Sequence, residues 1–421
     1  MTNAETHIAD LARLVEAAPS SFHAAAEVAR RCEDAGFTRV HETEAWPQGP
    51  GRYVVVRDGA VIAWVVPTGA GPLTPFTVLG AHTDSPGFKL KPRPTTGRDG
   101  WLQAGVEIYG GPLLNSWLDR ELELAGRVVT RDGTEHLVRT GPMLRIPQLA
   151  IHLDRQVNDG LKLDKQRHTQ PVWGLGDRSE ADVLATLVDG ACSPEDVAGY
   201  DVVVADTQQP RTFGADGALF ASGRLDNLLS VHAGLCALLD VPDDAERVAV
   251  LAAFDHEEIG SDTRSGAGGP FLEDVLGRVQ RSLGADAVER RRALAASLVV
   301  SSDVGHSVHP NYGERHDAAN RPLAGGGPIL KINANQRYVT DAVGAALWNG
   351  ACERAGVPVQ EFVSDNTMPC GSTIGPITAT RLGIRTVDVG VPILSMHSAR
   401  ELCAVADPWY LRQAVAAAFA G

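Results

Sequence analysis

The sequence predicts an α/β protein in which a layered sheet domain is interrupted by an inserted β-rich domain. Two observations lead to this prediction. In residues 1–92 and 214–421, apolar runs of strand length alternate with helical segments, as is typical of a sheet covered by helices on both faces. In residues 93–213 the pattern changes to short strands separated by turns. We therefore predict a discontinuous α/β domain in the first two ranges and an insertion in the third.

The first elements follow from the hydrophobic period. Residues 1–37 have the period of two amphipathic helices. The segment GRYVVVRDGAVIAWVVP alternates around an Asp-Gly pair, which predicts a β-hairpin. The next segment, PFTVLGAHTDSPG, reads as a continuous apolar strand that stops at a polar cluster.

The inserted region is predicted from its turns. Short strands are expected in WLQAGVEIYGG, ELELAGRVVTRDGTEHLVRTG and MLRIPQLAIHL, and the pair Asp132–Gly133 marks a second hairpin. The polar segment DRQVNDGLKLDKQRHTQP that follows is expected to be an exposed loop.

The second half of the chain returns to alternating helices and strands. SGRLDNLLSVHAGLCALLD and TDAVGAALWNGACERAG predict helices, whereas RVAVLAAF, SLVVSSD and RTVDVGVP predict buried strands. We expect these strands to join PFTVLGA in one sheet.

Composition excludes several classes of function. The chain has 421 residues and a net charge of −14, from 38 basic and 52 acidic residues, so no basic excess favours nucleic-acid binding. No uncharged run approaches the length of a membrane span, and the acidic, amphipathic N-terminus is unlike a signal peptide. Six scattered cysteines without a C-x-x-C pair suit reduced thiols. We therefore expect a cytoplasmic protein with no membrane or nucleic-acid partner.

Polar side chains follow the predicted strands where each strand ends. His82 closes the first, Glu257 and Glu258 follow the second, Asp303 the third and His397 the fourth. In open α/β sheets the ligand site lies beyond the carboxyl ends of the strands, so these side chains should meet.

Asp226 joins this set at the start of a predicted helix. Taken singly, Asp226 suits a helix cap and Asp303 a turn. Together with the strand-end residues they predict a functional cluster.

The donor set indicates a metal centre. Crowded carboxylates raise one another's pKa unless a cation neutralises them. Two histidines and three carboxylates suit zinc, with cobalt or manganese as alternatives. Five ligands exceed the needs of one four-coordinate catalytic zinc, so we expect two ions that share one carboxylate. Neighbouring side chains on an extended chain point to opposite faces, which makes Glu258 a ligand and Glu257 the base that takes a proton from a bridging water.

The chain resembles a known family. The segments that carry the resemblance, in the family's order, are GAHTDSPGFKLKPRP, SGRLDNLLS, FDHEEIGS, SSDVGHSVHPNY, LKINANQRYVT, MPCGSTIGP and VGVPILSMHSARE. They resemble the aspartyl aminopeptidases, which are dizinc metallopeptidases. The resemblance implies a catalytic domain of the co-catalytic zinc exopeptidase type, a β-rich dimerisation domain as the insertion, and a tetrahedral dodecamer. It also implies removal of N-terminal residues, preferably Asp or Glu, from peptides.

The resemblance implies a role for each of seven residues at the strand ends. His82 and Asp303 would hold one zinc ion, and Glu258 and His397 would hold the other. Asp226 would bridge the two ions, Glu257 would be the general base, and Asp84 would orient His82.

Further residues are candidates for contact with substrate. The resemblance implies that Lys331 and Tyr338 contact it, and His306 lies in the nearby segment GHSVHP. If the segment LKINANQRY is a strand, Lys331 and Arg337 share a face, and the alternative is that both are surface charges on an edge strand. His152, in the insertion, looks like the family histidine that reaches a neighbouring subunit's active site. A metal role, or a purely structural one on an alternating strand, stays open for it.

Other functions remain alternatives at this stage. The same fold serves dizinc carboxypeptidases and amide deacylases, and a non-catalytic shell protein could retain the scaffold. The glycine-rich SGAGGP and AGGGP lack the spacing of phosphate-binding loops. Ser372 lacks the surroundings of a nucleophile elbow, so we expect it to form a turn near the substrate.

Overall fold

The computed structural model describes residues 2–421. The chain begins with the two predicted helices, followed by the predicted hairpin and strand. These elements are α1 (Asn3–Ala17), α2 (Ser21–Asp34), β1 (Thr38–Arg39), β2 (Gly51–Arg57), β3 (Ala60–Val66) and β4 (Phe76–His82). Side-chain caps on Thr2 and Ser20 start the two helices, and Asp58 adopts positive φ in the turn between β2 and β3.

The next part of the chain is mostly strand. Its elements are β5 (Gly87–Arg98), β6 (Trp101–Tyr109), β7 (Leu122–Thr130), β8 (Glu135–Arg139), β9 (Val172–Leu175), α3 (Val183–Leu187) and β10 (Val197–Asp206). The strands β7 and β8 form the hairpin predicted at Asp132–Gly133.

Helices and strands then alternate to the end of the chain. They are β11 (Arg211–Phe213), β12 (Leu219–Ser222), α4 (Leu225–Leu239), β13 (Val248–Phe254), α5 (Phe271–Ser282), α6 (Ala287–Ala295), β14 (Leu298–Ser302), β15 (Gly305–His306), β16 (Ile329–Ile332), α7 (Ala342–Ala355), β17 (Gln360–Val363), α8 (Ile374–Leu382), β18 (Arg385–Gly390), β19 (Pro392–Leu394), β20 (Glu401–Ala404) and α9 (Ala406–Ala420).

A nine-stranded sheet organises the larger part of the molecule. Its order is β1-β2-β3-β13-β4-β14-β18-β16-β17. The four strands β13, β4, β14 and β18 are mutually parallel, so their carboxyl ends lie along one edge. This is the arrangement that the strand-end argument requires, and it confirms the predicted α/β class.

Helices cover both faces of this sheet. Successive strand residues enter different cores: Leu79 and Leu251 pack with α1, α2, α4, α7 and α9, whereas Val78 and Val250 pack with α5, α6 and α8. The parallel strands are therefore apolar on both faces, which explains their continuous hydrophobic runs.

The region from Gly87 to Asp206 forms a separate, wholly antiparallel sheet of order β8-β7-β10-β5-β6-β9, with its own apolar core. The predicted insertion, residues 93–213, overlaps it, but β5 begins before residue 93. At the other end, β11 joins a third sheet, of order β11-β12-β20-β19-β15. That sheet carries His306 and the turn with His397.

Two local predictions were wrong. MLRIPQLAIHL contains only isolated bridges, at Leu144, Arg145 and Ile146, and His152 lies in an exposed turn rather than on a strand. The strand β16 ends at Ile332, so Arg337 is not on a strand. After Ile146 and after Ile332 the chain leaves these pairings and turns.

The structure also bears on membrane association. Across residues 2–421, no helix combines the length and apolar character needed to cross a membrane.

Candidate metal centre

The parallel strands bring the predicted donors to one edge of the sheet. His82 is the last residue of β4, and Asp303 directly follows β14. Glu257 and Glu258 lie in a short 3₁₀ turn after β13, and His397 lies in the turn between β19 and β20. His82, Glu257, Glu258 and Asp303 meet because β4, β13 and β14 run in the same direction. The expectation that His397 directly follows a fourth strand of this sheet was wrong, because His397 enters from the third sheet.

Asp226 lies between the two histidines. Its Oδ1 is 3.2 Å from His82 Nε2 and its Oδ2 is 3.4 Å from His397 Nε2. The helix-cap interpretation is wrong, because no side-chain capping hydrogen bond is found at the start of α4. Each carboxylate oxygen faces a different histidine, as a bridging ligand requires.

Two groups of three donors share Asp226. One contains His82 and Asp303, with His82 Nε2 3.6 Å from Asp303 Oδ1. The other contains Glu258 and His397, with His397 Nε2 3.4 Å from Glu258 Oε2. Each group has its ligand atoms within 4.8 Å of one another and could hold one ion.

Glu257 lies beside the first group. Its Oε2 is 4.0 Å from His82 Nε2, farther than the oxygens of Asp226 and Asp303. Ligand atoms of Glu257, His82 and Glu258 also lie within 4.8 Å of one another. The prediction that the two neighbouring glutamates point to opposite faces was therefore wrong, because they lie in a 3₁₀ turn and not on an extended strand.

Burial and mutual repulsion dominate the electrostatics. Burial, with the nearby Asp303 and Asp226 carboxylates, raises the pKa of Glu257 to about 8, although His82 opposes the shift. Burial and the Asp226 carboxylate raise the pKa of Glu258 well above its usual range. Burial alone would also raise the pKa of Asp226, but the adjacent His397 and His82 side chains lower it. Such a cluster attracts a cation.

The donor chemistry fits divalent metal. Asp226 Oδ1 and Glu258 Oε1 are buried and have no hydrogen-bond partner among the described residues. Leaving buried carboxylate oxygens unpaired is costly, and bound cations would satisfy both. Imidazole nitrogens with carboxylates are the donors that zinc, manganese and cobalt accept.

Both histidines are held by backbone carbonyls. The Nδ1 of His82 lies 3.0 Å from the carbonyl oxygen of Asp84, and that of His397 lies 3.0 Å from the carbonyl oxygen of Gly111. Each Nδ1–H can donate to its carbonyl, which leaves both Nε2 atoms unprotonated and facing the cluster.

Asp84 organises the turn that carries the two glutamates. Its carboxylate accepts the backbone N–H of Glu257 at 3.0 Å and that of Glu258 at 3.1 Å. Its Oδ1 lies 3.5 Å from His82 Nδ1, so the carbonyl of Asp84 makes the shorter contact with that histidine. Asp84 therefore positions both the strand end and the following turn.

Sequence reasoning missed two supporting residues. Tyr109, at the end of β6, donates its hydroxyl to Asp84 Oδ2 at 2.8 Å. The buried Glu401 accepts the backbone N–H of His397 at 2.8 Å and that of Asp226 at 2.9 Å. The position of Glu401, four residues after His397, was a usable signal, whereas nothing in the sequence of the insertion singles out Tyr109.

A cavity of about 430 Å³ opens beside the donors and contains Lys331, Tyr338 and His306. Lys331 is only 2% exposed, so its interpretation as a surface charge on an edge strand is wrong. Its Nζ donates to the carbonyl of Val304 at 2.9 Å and lies 5.3 Å from the centre of the Tyr338 ring. By contrast, Arg337 is exposed and donates to the carbonyl of Gly371.

Three remaining candidates lie outside the donor groups. His152 is on an exposed turn among apolar side chains that face solvent, including Leu153 at 74% exposure. In AGGGP, the N–H groups of Gly325 and Gly327 bond the buried carboxylate of Asp407, which explains the glycine-rich sequence without a phosphate. Ser372 lines the cavity wall.

Comparisons with known proteins agree with this geometry. The family described as "Aminopeptidase I zinc metalloprotease (M18)" matches residues 14–419. The chain belongs to the M18 family. Its relatives include a protein of Streptomyces avermitilis named "Probable M18 family aminopeptidase 2", 56% identical over 99% of this chain and 98% of that protein. A protein of the same name from Mycobacterium leprae is 44% identical over 95% of this chain and 95% of that protein.

Solved structures extend the likeness. The M18 aminopeptidase of Thermotoga maritima is 25% identical with a TM-score of 0.88, covering 99% of this chain and 96% of that one. The S. cerevisiae mApe1 dodecamer is 26% identical with a TM-score of 0.87, covering 99% and 97%. The predicted co-catalytic zinc exopeptidase fold and the prediction of a zinc-dependent aminopeptidase are therefore confirmed.

Proposed function

We propose that this M18 aminopeptidase uses two zinc ions per subunit to remove an N-terminal residue, preferably Asp or Glu, from peptides. The observation that carries the proposal is Asp226, whose two oxygens face His82 and His397 separately. A carboxylate shared by two donor groups suits two ions better than one. Manganese or cobalt would fit the same ligands.

The ligand assignment follows the two donor groups. His82 and Asp303 would hold one ion, Glu258 and His397 the other, and Asp226 would contact both. Asp84 and Glu401 would position these ligands through backbone N–H groups without touching metal.

The bound ions would polarise the scissile carbonyl and make a water molecule acidic. Glu257 would accept the proton of that water at its carboxylate and return it to the departing amine. Its position supports this role, since Glu257 faces the donors yet lies farther from His82 than either Asp226 or Asp303 does. Burial and the neighbouring carboxylates raise the pKa of Glu257, which favours a residue that both takes up and releases a proton.

The acidic preference rests on Lys331. Within residues 2–421, no carboxylate lies within 4.0 Å of its buried ammonium, and the carbonyl of Val304 is its hydrogen-bond acceptor. A buried cation without an ion pair is costly. The side-chain carboxylate of an N-terminal Asp or Glu in this cavity would supply the missing partner, with Tyr338 and His306 beside it.

The exposed apolar turn around His152 supports a homo-oligomer. Leu149, Ile151 and Leu153 all face solvent in the single chain, and such side chains mark contact surfaces. Because the similar S. cerevisiae mApe1 structure is a dodecamer, we expect this chain to form a dodecamer as well. In it, His152 would reach the active site of a neighbouring subunit.

A cytoplasmic location is proposed from the cysteines. All six are free in the described structure, as expected where thiols stay reduced.

The test is a substrate panel at defined metal loading. We expect aspartyl and glutamyl peptides with free amines to be cleaved fastest, leucyl peptides more slowly, and N-acetylated or carboxyl-terminal bonds hardly at all. Preferential cleavage of N-acylated substrates would instead support the deacylase, and cleavage from the carboxyl terminus would support the carboxypeptidase. If no substrate is cleaved with both ions bound, the result would support the non-catalytic shell protein.

A further inference from the structure

A second group of metal-binding side chains lies between helices α1 and α4. The first helix carries His7 and Asp10, three residues apart, and the second carries His232 and Cys236, four residues apart. Both spacings put two side chains on one face of a helix. The two faces meet, so His7, His232 and Cys236 come together and Asp10 lies beside His232.

The donor atoms are close together. One ligand atom from each of His7, His232 and Cys236 lies within 4.8 Å of the other two. The Nε2 of His232 is 3.5 Å from Cys236 Sγ and 2.7 Å from Asp10 Oδ2. Zinc bonds of about 2.0–2.3 Å put tetrahedral ligand atoms about 3–4 Å apart, a separation that the three donors His7, His232 and Cys236 approach. Asp10 would be the fourth ligand, through the oxygen that lies beside His232.

Burial supplies an independent observation. His232 is fully buried and His7 is 6% exposed, yet His7 Nε2 has no hydrogen-bond partner in the described part of the chain. Burial, with His232 and Arg412 nearby, lowers the pKa of His7 to about 2, so its imidazole is neutral. A neutral, unpartnered ring nitrogen inside a protein is a ready metal ligand.

We propose that His7, Asp10, His232 and Cys236 bind a zinc-class divalent ion that is separate from the catalytic centre. On binding, the Cys236 thiol loses its proton to solvent, together with any proton that His232 shares with Asp10. The thiolate and the carboxylate then balance the two charges of the ion. Such a closed site joins α1 to α4, whose first turn contains Asp226, and its role is structural.

Asp10 is already held in place. Its carboxylate pairs with Arg13 at 2.8 Å and with Arg31 of α2 at 3.0 Å. Arg13 contacts Oδ1, whereas Arg31 and His232 both contact Oδ2. The carboxylate is therefore fixed beside His232, and a bound ion would take the place of the His232 contact at Oδ2.

Sulfur makes the site distinguishable from the catalytic centre. The proposed catalytic ligands are nitrogen and oxygen only, so a thiolate-to-cobalt charge-transfer band in the near ultraviolet can come only from a cysteine site. Full-length apoprotein titrated with Co²⁺ should develop this band, and Cys236→Ser should abolish it. Cys192→Ser, at another partly buried cysteine, should keep it.

Metal analysis gives the second measurement. Cys236→Ser and His7→Gln should each bind about one equivalent of zinc per chain fewer than the parent after gel filtration, with peptidase activity retained. If the parent shows no thiolate band, or if both variants keep the parent's metal content, the cluster is only a buried His–Asp hydrogen bond beside a thiol and the proposal is wrong. Because the readouts are sulfur ligation and stoichiometry, this result is independent of the proposed peptidase mechanism.

Discussion

Replacing Lys331 with methionine tests the proposed acidic pocket. The substitution keeps an unbranched side chain of similar length and removes the ammonium. Because Lys331 is 2% exposed and bonds only the carbonyl of Val304 among the described residues, its charge has little water to lose when a substrate carboxylate binds. The full value of a charge-assisted hydrogen bond should therefore appear in the preference.

The magnitude follows from that contact. A hydrogen bond between charged groups contributes about 1.5–3 kcal/mol, and each 1.4 kcal/mol is about tenfold in rate. Lys331→Met should thus reduce the ratio of kcat/KM for aspartyl over leucyl substrates by about 10- to 100-fold. The loss should fall on aspartyl substrates, since a leucyl side chain makes no such bond.

The assay measures kcat/KM for matched aspartyl and leucyl substrates, with metal content determined on the same samples. Arg337→Ala is the matched control, because this cation lies in the same segment but is exposed; it should leave the ratio unchanged. Equal hydrolysis of aspartyl and leucyl peptides by the unmodified enzyme would refute the acidic pocket. An unchanged ratio in a metal-replete Lys331→Met variant would assign the preference to other residues.

Four further predictions concern the metal centre and the assembly. Glu257→Gln should keep both ions and lower kcat by about 10²–10⁴, the usual contribution of a general base, whereas Glu258→Ala should release metal from one site; the reverse pattern in kinetics and metal analysis would exchange the two roles. Tyr109→Phe removes a donor to the Asp84 carboxylate and should lower kcat/KM by about tenfold with the metals retained; an unchanged value would show that Asp84 needs no such support. Light scattering should find a particle far larger than a monomer, and a monomer at micromolar concentration would contradict the assembly. In that particle, His152→Ala should lower activity without releasing metal. Chelation should abolish activity and zinc, manganese or cobalt should restore it, so activity that survives complete metal removal would exclude a metallopeptidase mechanism.

Much of the site could be predicted because it depends on strand direction. Once β4, β13 and β14 are recognised as buried parallel strands, His82, Glu258 and Asp303 must emerge at the same edge. The chain order of the motifs then identifies the family. The strand prediction that failed concerns a segment that leaves the sheet after three isolated bridges. The alternating apolar residues near His152 resemble a strand, but the chain there forms an exposed turn.

The sequence by itself determined the α/β class, the donors and the family, since hydrophobic period and residue type are local properties. Only the tertiary structure decided which groups support the donors. Glu401 reaches the backbone of Asp226 across 175 residues of chain, and Tyr109 reaches Asp84 from another sheet. It also decided that Lys331 is buried without an ion pair. Such contacts depend on how distant elements pack, which no local pattern records.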